Sequence, residues 1–357
     1  MLALLLMAPI LAAGISFAVL TDDNNDDDNT SSNGAGTGSG AGSGASSGGG
    51  AGAGAGSGAG AGSASVPNIN LTDGADSRTM SDAGALFAKD GDDTISGSNG
   101  DDFIPLGAGN DSVTGHAGND EIFSDIGDDT LLGSFGNDTL FGGFGNDEMK
   151  GNGGDDSLSG GAGSDTITGS TGNDSIVGEG DGDLLWGGES NDTLLGFTGN
   201  DTLFGGVGDD SLDGGFGYDS LVDGIGRNTL IGGGGADSLA ALYEYNTGAG
   251  AANADTLNGG SGVDAFGVQV TKAAGAALLT ENVVTVTDFT ANETLQVLLT
   301  NADGSSADLT GASLQLVADG ANTNVLVSFG GGPGTLVATL QNITPTQITA
   351  GSITLTN

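Results

Sequence analysis

The stretch Gly142-Gly143-Phe144-Gly145-Asn146-Asp147-Glu148-Met149-Lys150 decides how this chain is read. Glycines at its first, second and fourth places admit positive φ and let backbone carbonyls turn toward a common centre, to which Asp147 adds a carboxylate. Glu148, Met149 and Lys150 read as a very short strand whose central side chain, Met149, points inward. One unit is thus a turn plus a strand. It is too short to bury a core of its own and must stack on copies of itself.

The copies are present in both directions. An aspartate recurs every nine residues at Asp93, Asp102, Asp111, Asp120, Asp129, Asp138, Asp147, Asp156, Asp165, Asp174, Asp183, Asp192, Asp201, Asp210, Asp219, Asp237, Asp255 and Asp264, with Asn228 and Asn246 as the interruptions. Two places after each of these twenty positions stands a large apolar residue, Gly248 excepted. Two units make one coil, so equivalent turns lie 18 residues apart in sequence and ~4.8 Å apart in space. The expected fold is all-β, a parallel β-roll solenoid. Carbonyls and aspartates of adjacent turns then close a hard oxygen cage suited to Ca2+, whereas magnesium demands stricter octahedral geometry.

Counting by 18 sorts the acids into two columns, one per edge of the roll. Asp93, Asp111, Asp129, Asp147, Asp165, Asp183, Asp201, Asp219, Asp237 and Asp255 form one; Asp102 to Asp210 form the other, followed by Asn228, Asn246 and an isolated Asp264. That gives nine gaps plus six, at most fifteen well-formed sites, with calcium weak or absent beside the two asparagines. Asp181 and Ser190 replace the fourth-place glycine, which predicts strained or weaker turns. Tyr243-Glu244-Tyr245 marks a degenerate coil, after which Asp255 and Asp264 return in phase.

Composition points the same way. Against 47 acids stand five bases, Arg78, Lys89, Lys150, Arg227 and Lys272, for a formal charge of −42. A folded rod so charged repels itself unless cations neutralise it, and nucleic acid is excluded as a partner by sign. The absence of cysteine removes disulfides and thiolate chemistry.

Residues 1–20 are apolar and uncharged, long enough for a membrane-crossing helix, and read as an export or anchoring segment, with retention as an anchor preferred to cleavage after Ala18. Residues 21–66 are an acidic run and then Gly, Ala and Ser, a disordered tether. Residues 67–90 lead into the solenoid and cover its first coil; the roll spans 91–266. From 267 to 357 alternating β-formers at 283–286, 295–299, 313–317, 325–329 and 335–340 predict a C-terminal β cap domain.

The repeat resembles the RTX, or hemolysin-type, calcium-binding nonapeptide, which forms a parallel β-roll. The resemblance covers residues 91–266. It implies that the eighteen aspartates and the turn carbonyls ligate calcium, and that the chain stays unfolded at low cytosolic calcium and folds after export. Asp288-Phe289, Glu293 and Leu295 resemble the β region that often follows such repeats. Members exported by type I machinery lack an N-terminal signal, a pattern from which residues 1–20 depart.

Enzymatic chemistry finds no support in the residues. His116 is the only histidine, which excludes an HExxH zinc site; in a repeat turn it cannot serve a hydrolase triad, and GxSxG matches fall in the low-complexity linker. Triplets beginning at Asn110, Asn137 and Asn173 match a glycosylation acceptor but are generated by the repeat itself. Outward strand positions carry a hydroxyl row, Thr139, Ser157, Ser175, Thr193, Ser211, Thr229 and Thr247. Apolar rows run beside it (Phe123, Phe141, Val177, Leu195, Ile231) and on the other face (Leu132, Trp186, Phe204, Val222). The expectation is a non-enzymatic, extracellular or cell-surface calcium-binding rod. The competing readings are a folding and secretion module for an exported enzyme or toxin, and a surface for glycan, ice, a polymer or a second rod.

Overall fold

The computed structural model describes residues 68–241, 255–272, 283–301, 309, 312–329, 334–349 and 351–356. The expected apolar helix and the Gly/Ala/Ser tether lie outside these residues. Among the described residues the strands form two sheets, of fifteen and thirteen strands, and consecutive strands alternate between them up to residue 301. Each strand is longer than its unit suggests. In Thr139–Phe144, Glu148–Gly153, Ser157–Ala162 and Thr166–Thr171 the residues after the aspartate run on through the first three places of the next unit. Those places also pair, Gly161 with Gly143 and Ala162 with Phe144, so the glycines extend the sheet before they turn the chain.

Pairing is parallel and steps by 18 residues, as the repeat requires. Met149 sits between Leu131 and Ile167 in one sheet, and Leu158 between Leu140 and Ile176 in the other. All six are at most 1% exposed. The core is one apolar layer from each sheet, closed at both sides by the turns. Because each aliphatic side chain contributes ~1.5–3 kcal/mol on burial, stacking many coils, not any single coil, stabilises the rod.

Between Asp93 and Asp264 counting by 18 fails at one place. Thr229–Gly235 pairs with Thr256–Gly262, and Ser238 with Ala265, so this coil takes 27 residues. Residues 242–254, with Asn246, Thr247 and the Tyr243-Glu244-Tyr245 segment, fall inside it and outside the described residues. Asp255 therefore stacks on Asn228, and Asp264 on Asp237. The column assignment expected for these two aspartates is reversed. A count by nine cannot reveal this, because nine extra residues preserve the phase of the repeat while changing its edge.

The parallel stack extends at both ends. Asn68–Asn70 and Ser77–Thr79 pair onto the first repeats with a step of 17 residues. Beyond residue 266 the second sheet continues in parallel through Thr294–Asn301 to Ile353–Thr356. The first sheet passes through Val284–Val286 to Thr335–Leu340 and turns antiparallel in Asn322–Phe329 and Ala312–Asp319. The strand Ile353–Thr356 was not foreseen.

Fourth-place glycines, Gly100 excepted, lie at φ between 125° and 157°, where a side chain is not tolerated. Asp181 and Ser190 take 68° and 83° at that place, the left-handed region that costs a non-glycine residue ~1–2 kcal/mol. Asp181→Gly is expected to raise stability by about 0.5–1 kcal/mol, the strain relieved less the entropy glycine adds to the unfolded chain. Guanidinium unfolding in saturating calcium would measure it, and a loss of stability would count against the strain. At the second place sequence reading expected glycine to carry positive φ but not the other residues found there, His116, Asp125, Ser134, Asn152, Ser170, Glu179 and Phe197, which all have positive φ.

On the outer surface the hydroxyl row runs from Thr139 through Thr229 and continues at Thr256 and Thr285. Phe87, Phe103, Phe123 and Phe141 form a ring ladder with centroids 6.1, 5.8 and 4.8 Å apart, and Trp186 stacks on Phe204 at 4.4 Å. Val222 does not join an exposed row: it lies beside Ala240 and both are buried.

Candidate metal centre

Every repeat aspartate is buried, none more than 6% exposed, which is abnormal for a carboxylate without a positive partner. The reason is a ladder. Along one edge Asp93 donates its backbone N–H to Asp111 Oδ1 at 2.7 Å, Asp111 to Asp129, Asp129 to Asp147, Asp147 to Asp165, and so on to Asp219, Asp237 and Asp264. On the other edge the same bond links Asp102, Asp120, Asp138, Asp156, Asp174, Asp192, Asp210, Asn228 and Asp255. Structure and sequence agree that there are nine gaps between aspartates in the first column and six in the second before Asn228. The first column, however, ends in Asp264, not Asp255.

One oxygen of each carboxylate is used by the ladder. The other, Oδ2, is buried without a hydrogen-bond donor in sixteen of the eighteen aspartates. The exceptions are Asp102, whose Oδ2 accepts from the backbone N–H and hydroxyl of Ser98, and Asp255. A buried acceptor without a donor costs ~1–3 kcal/mol, and more when charged. Burial pushes the carboxyls up: Asp120, Asp156, Asp165, Asp183 and Asp219 to about 7 and Asp192 to about 8. Ladder bonds oppose the shift and neighbouring acids add to it, Asp210 and Asp174 in the case of Asp192.

The glycines show what surrounds that oxygen. A Cβ at Gly142, first in its unit, would lie 2.3 Å from Asp147 Oδ2 and 2.6 Å from the Gly160 carbonyl of the next turn. The same pair of oxygens flanks Gly169, Gly187 and Gly196. At the fourth place a Cβ on Gly145 would fall on the Gly127 carbonyl of the preceding turn. Carboxylate and carbonyl oxygens thus crowd the space that the glycines leave open. No group of three or more His, Cys, Asp or Glu side chains among the described residues could hold a metal alone, so a cation here needs the backbone carbonyls too. Hard oxygens in mixed carboxylate and carbonyl sets fit calcium. Gly142→Ala is expected to cost ~1–3 kcal/mol and to blunt the calcium response, while Gly153→Ala, whose Cβ would meet nothing closer than 3.5 Å, stays near neutral. Calcium titrations followed by circular dichroism compare the two, and equal midpoints would argue against the cradle.

Sequence reading missed a second ladder, built from the residue before each aspartate. Asn119 donates its backbone N–H to Asp101 Oδ1, Asn137 to Asn119, Asp155 to Asn137, and the series runs through Asn173, Asn191 and Asp209 to Arg227. Its polarity is opposite to that of the inner ladder: acceptors point to the next turn here and to the previous turn there. Arg227 closes it with an ion pair to Asp209 at 2.5 Å. On the first edge the series runs from Asp92 to Ser164 and lapses at Gly182, beside the strained Asp181. The one trace of it in sequence is the Asn-Asp-Ser/Thr triplets, whose asparagines are the turn acceptors. His116, at a turn, is exposed and contacts Ser96 Oγ at 2.8 Å.

Turns that stack buried carboxylates beside backbone carbonyls make this parallel β-roll a candidate calcium-binding repeat region. Residues 83–112, 106–131, 123–158, 132–167, 150–185, 159–194, 186–221 and 219–241 match the RTX calcium-binding nonapeptide repeat, four copies to a match. The matches run together over residues 83–241, an uninterrupted array similar to RTX calcium-binding nonapeptide repeats. No curated protein matches the chain.

Proposed function

We propose that this chain is an exported, non-enzymatic rod that calcium folds, with ions held in the gaps between successive aspartates of each column and the flanking turn carbonyls. The observation that carries the reading is the row of buried Oδ2 atoms without donors, several of them, such as those of Asp147, Asp192 and Asp201, beside a carbonyl of the next turn at the first-place glycine. Bound calcium would supply the positive charge that the row lacks. Asp165 Oδ1 holds the Asp147 N–H, and its Oδ2 serves the gaps on either side. Asp165→Asn keeps the ladder acceptor and removes the charge, so the calcium midpoint for folding is expected to rise roughly tenfold or more. An unchanged midpoint would overturn the assignment.

Export is supported by the apolar residues 1–20 and by the family, and the tether of 21–66 would let the rod stand off a surface. No helix among the described residues is long and apolar enough to cross a membrane. Mass spectrometry of the native membrane fraction and medium separates a retained anchor from a cleaved leader. A second reading, a contact face for a glycan or another polymer, is favoured by the stacked Phe123 and Phe141 next to the Thr139 to Thr229 hydroxyl row. Pull-down on insoluble polysaccharides with and without Phe141→Ala tests it.

A further inference from the structure

Asn228 is the one break in the aspartate ladder among the described residues, and the same unit breaks the repeat a second time. Five residues earlier, at the first place, stands Asp223 where fifteen of the twenty units have glycine. That place points at the ladder. A Cβ at Gly115, Gly142, Gly169 or Gly187 would fall 2.2, 2.3, 2.1 or 2.4 Å from Oδ2 of the aspartate five residues on. A side chain there is aimed at the spot the free carboxylate oxygen occupies in other units. Ala88, Leu106 and Ser124 also replace this glycine, but ordinary aspartates, Asp93, Asp111 and Asp129, follow them, and Ala241 precedes Asn246. An acid stands at this place only where the ladder has lost its own.

The local backbone has adjusted to hold it. The strand Ser220–Val222 stops after three residues where its neighbour Thr202–Val207 runs for six, and Gly224 lacks the positive φ that Gly206 and Gly233 adopt. Asp223 is 1% exposed, with Oδ2 fully covered. Asn228 keeps the structural half of the aspartate's work: its Oδ1 accepts from Asp210 N–H at 2.8 Å, and its own N–H donates to Asp255 Oδ1 at 2.9 Å. Its Nδ2, in the place of Oδ2, turns to the Gly224 carbonyl at 3.4 Å. The turn below offers Asp210 Oδ2, buried and without a donor. Two anions in one half-turn would repel, and an amide beside the new acid avoids that.

We infer that Asp223 supplies the carboxylate missing at residue 228, making the gap between Asp210 and Asn228 a calcium site with its ligand order swapped. The inference rests on the proposed calcium function and reverses the expectation that Asn228 marks a weak or empty position. Native mass spectrometry of the full chain in saturating calcium, with circular dichroism for the folding midpoint, tests it. Asp223→Asn should bind one ion fewer than the wild type and need more calcium to fold, and Asn228→Asp added to it should return the ion. Asp223→Gly with Asn228→Asp rebuilds the regular repeat and should bind the wild-type number, which keeps the test open if Asp223→Asn does not fold. A wild-type count in Asp223→Asn, or one extra ion in the rebuilt repeat, would overturn the inference. A wild type that binds no calcium would instead overturn the broader reading.

Discussion

Stripped of calcium by chelator at pH 8, the chain is expected to lose its β signal in far-ultraviolet circular dichroism and to regain it when calcium is restored. Sixteen buried carboxylate oxygens lack a donor, and at ~1–3 kcal/mol or more each their cost far exceeds the ~5–15 kcal/mol by which a domain is normally stable. The thin apolar core cannot offset that. Repulsion at a net charge of −42 adds to it. Binding and folding should therefore be one event. Sodium chloride should substitute poorly, since buried charges are screened much less than exposed ones. A spectrum indifferent to chelator would remove the basis for the calcium reading.

Acid is expected to replace calcium. The inner aspartates have folded-state values raised to about 6 at Asp111 and Asp147, about 7 at Asp165 and about 8 at Asp192, first through burial and then through neighbouring acids. An unfolded aspartate titrates near ~3.9. The calcium-free fold thus binds more protons than the unfolded chain, so its stability is greatest below the unfolded value and is lost as pH rises through 6 to 8. Calcium needs the ionised form, so its apparent affinity should fall over the same window as pH is lowered. Exposed Asp155 and Asp209, held below the usual range by bonds from Asn173 and Arg227, titrate too low to produce that transition. Calcium-free protein that is equally unstructured at pH 5 and pH 8 would contradict the prediction.

Much of this molecule was legible because the repeat imposes two periods at once. The nine-residue spacing of Asp and of the apolar residue two places on fixed turn, strand and core, and Leu140, Met149 and Leu158 lie where it put them. What escaped needed three dimensions. The second-place turn residues, such as Glu179 and Phe197, look unremarkable in sequence because nothing in their type announces positive φ. The outer ladder was hidden because Asn119 and Asn137 resemble ordinary turn residues until their partners 18 residues away are known. Asp223 passed unnoticed because only the backbone of the other units shows that a first-place side chain would be aimed at the ladder. Asp255 and Asp264 were put on the wrong edges because a nine-residue count does not see which edge a unit is on.

The 27-residue coil between Asn228 and Asp255 bears on how such an array can lengthen. If every coil had to contain two units, growth would proceed only in pairs, and a single duplicated nonapeptide would carry all later turns to the opposite edge. Here one coil takes in nine extra residues, and both columns resume beyond it, Asp264 above Asp237 and Asp255 above Asn228. Odd numbers of units are therefore permitted. Unequal crossing-over can add or delete one repeat at a time in the gene, and a unit that has lost its turn glycines, as Tyr243-Glu244-Tyr245 has, can remain in the chain without breaking the register of those that follow.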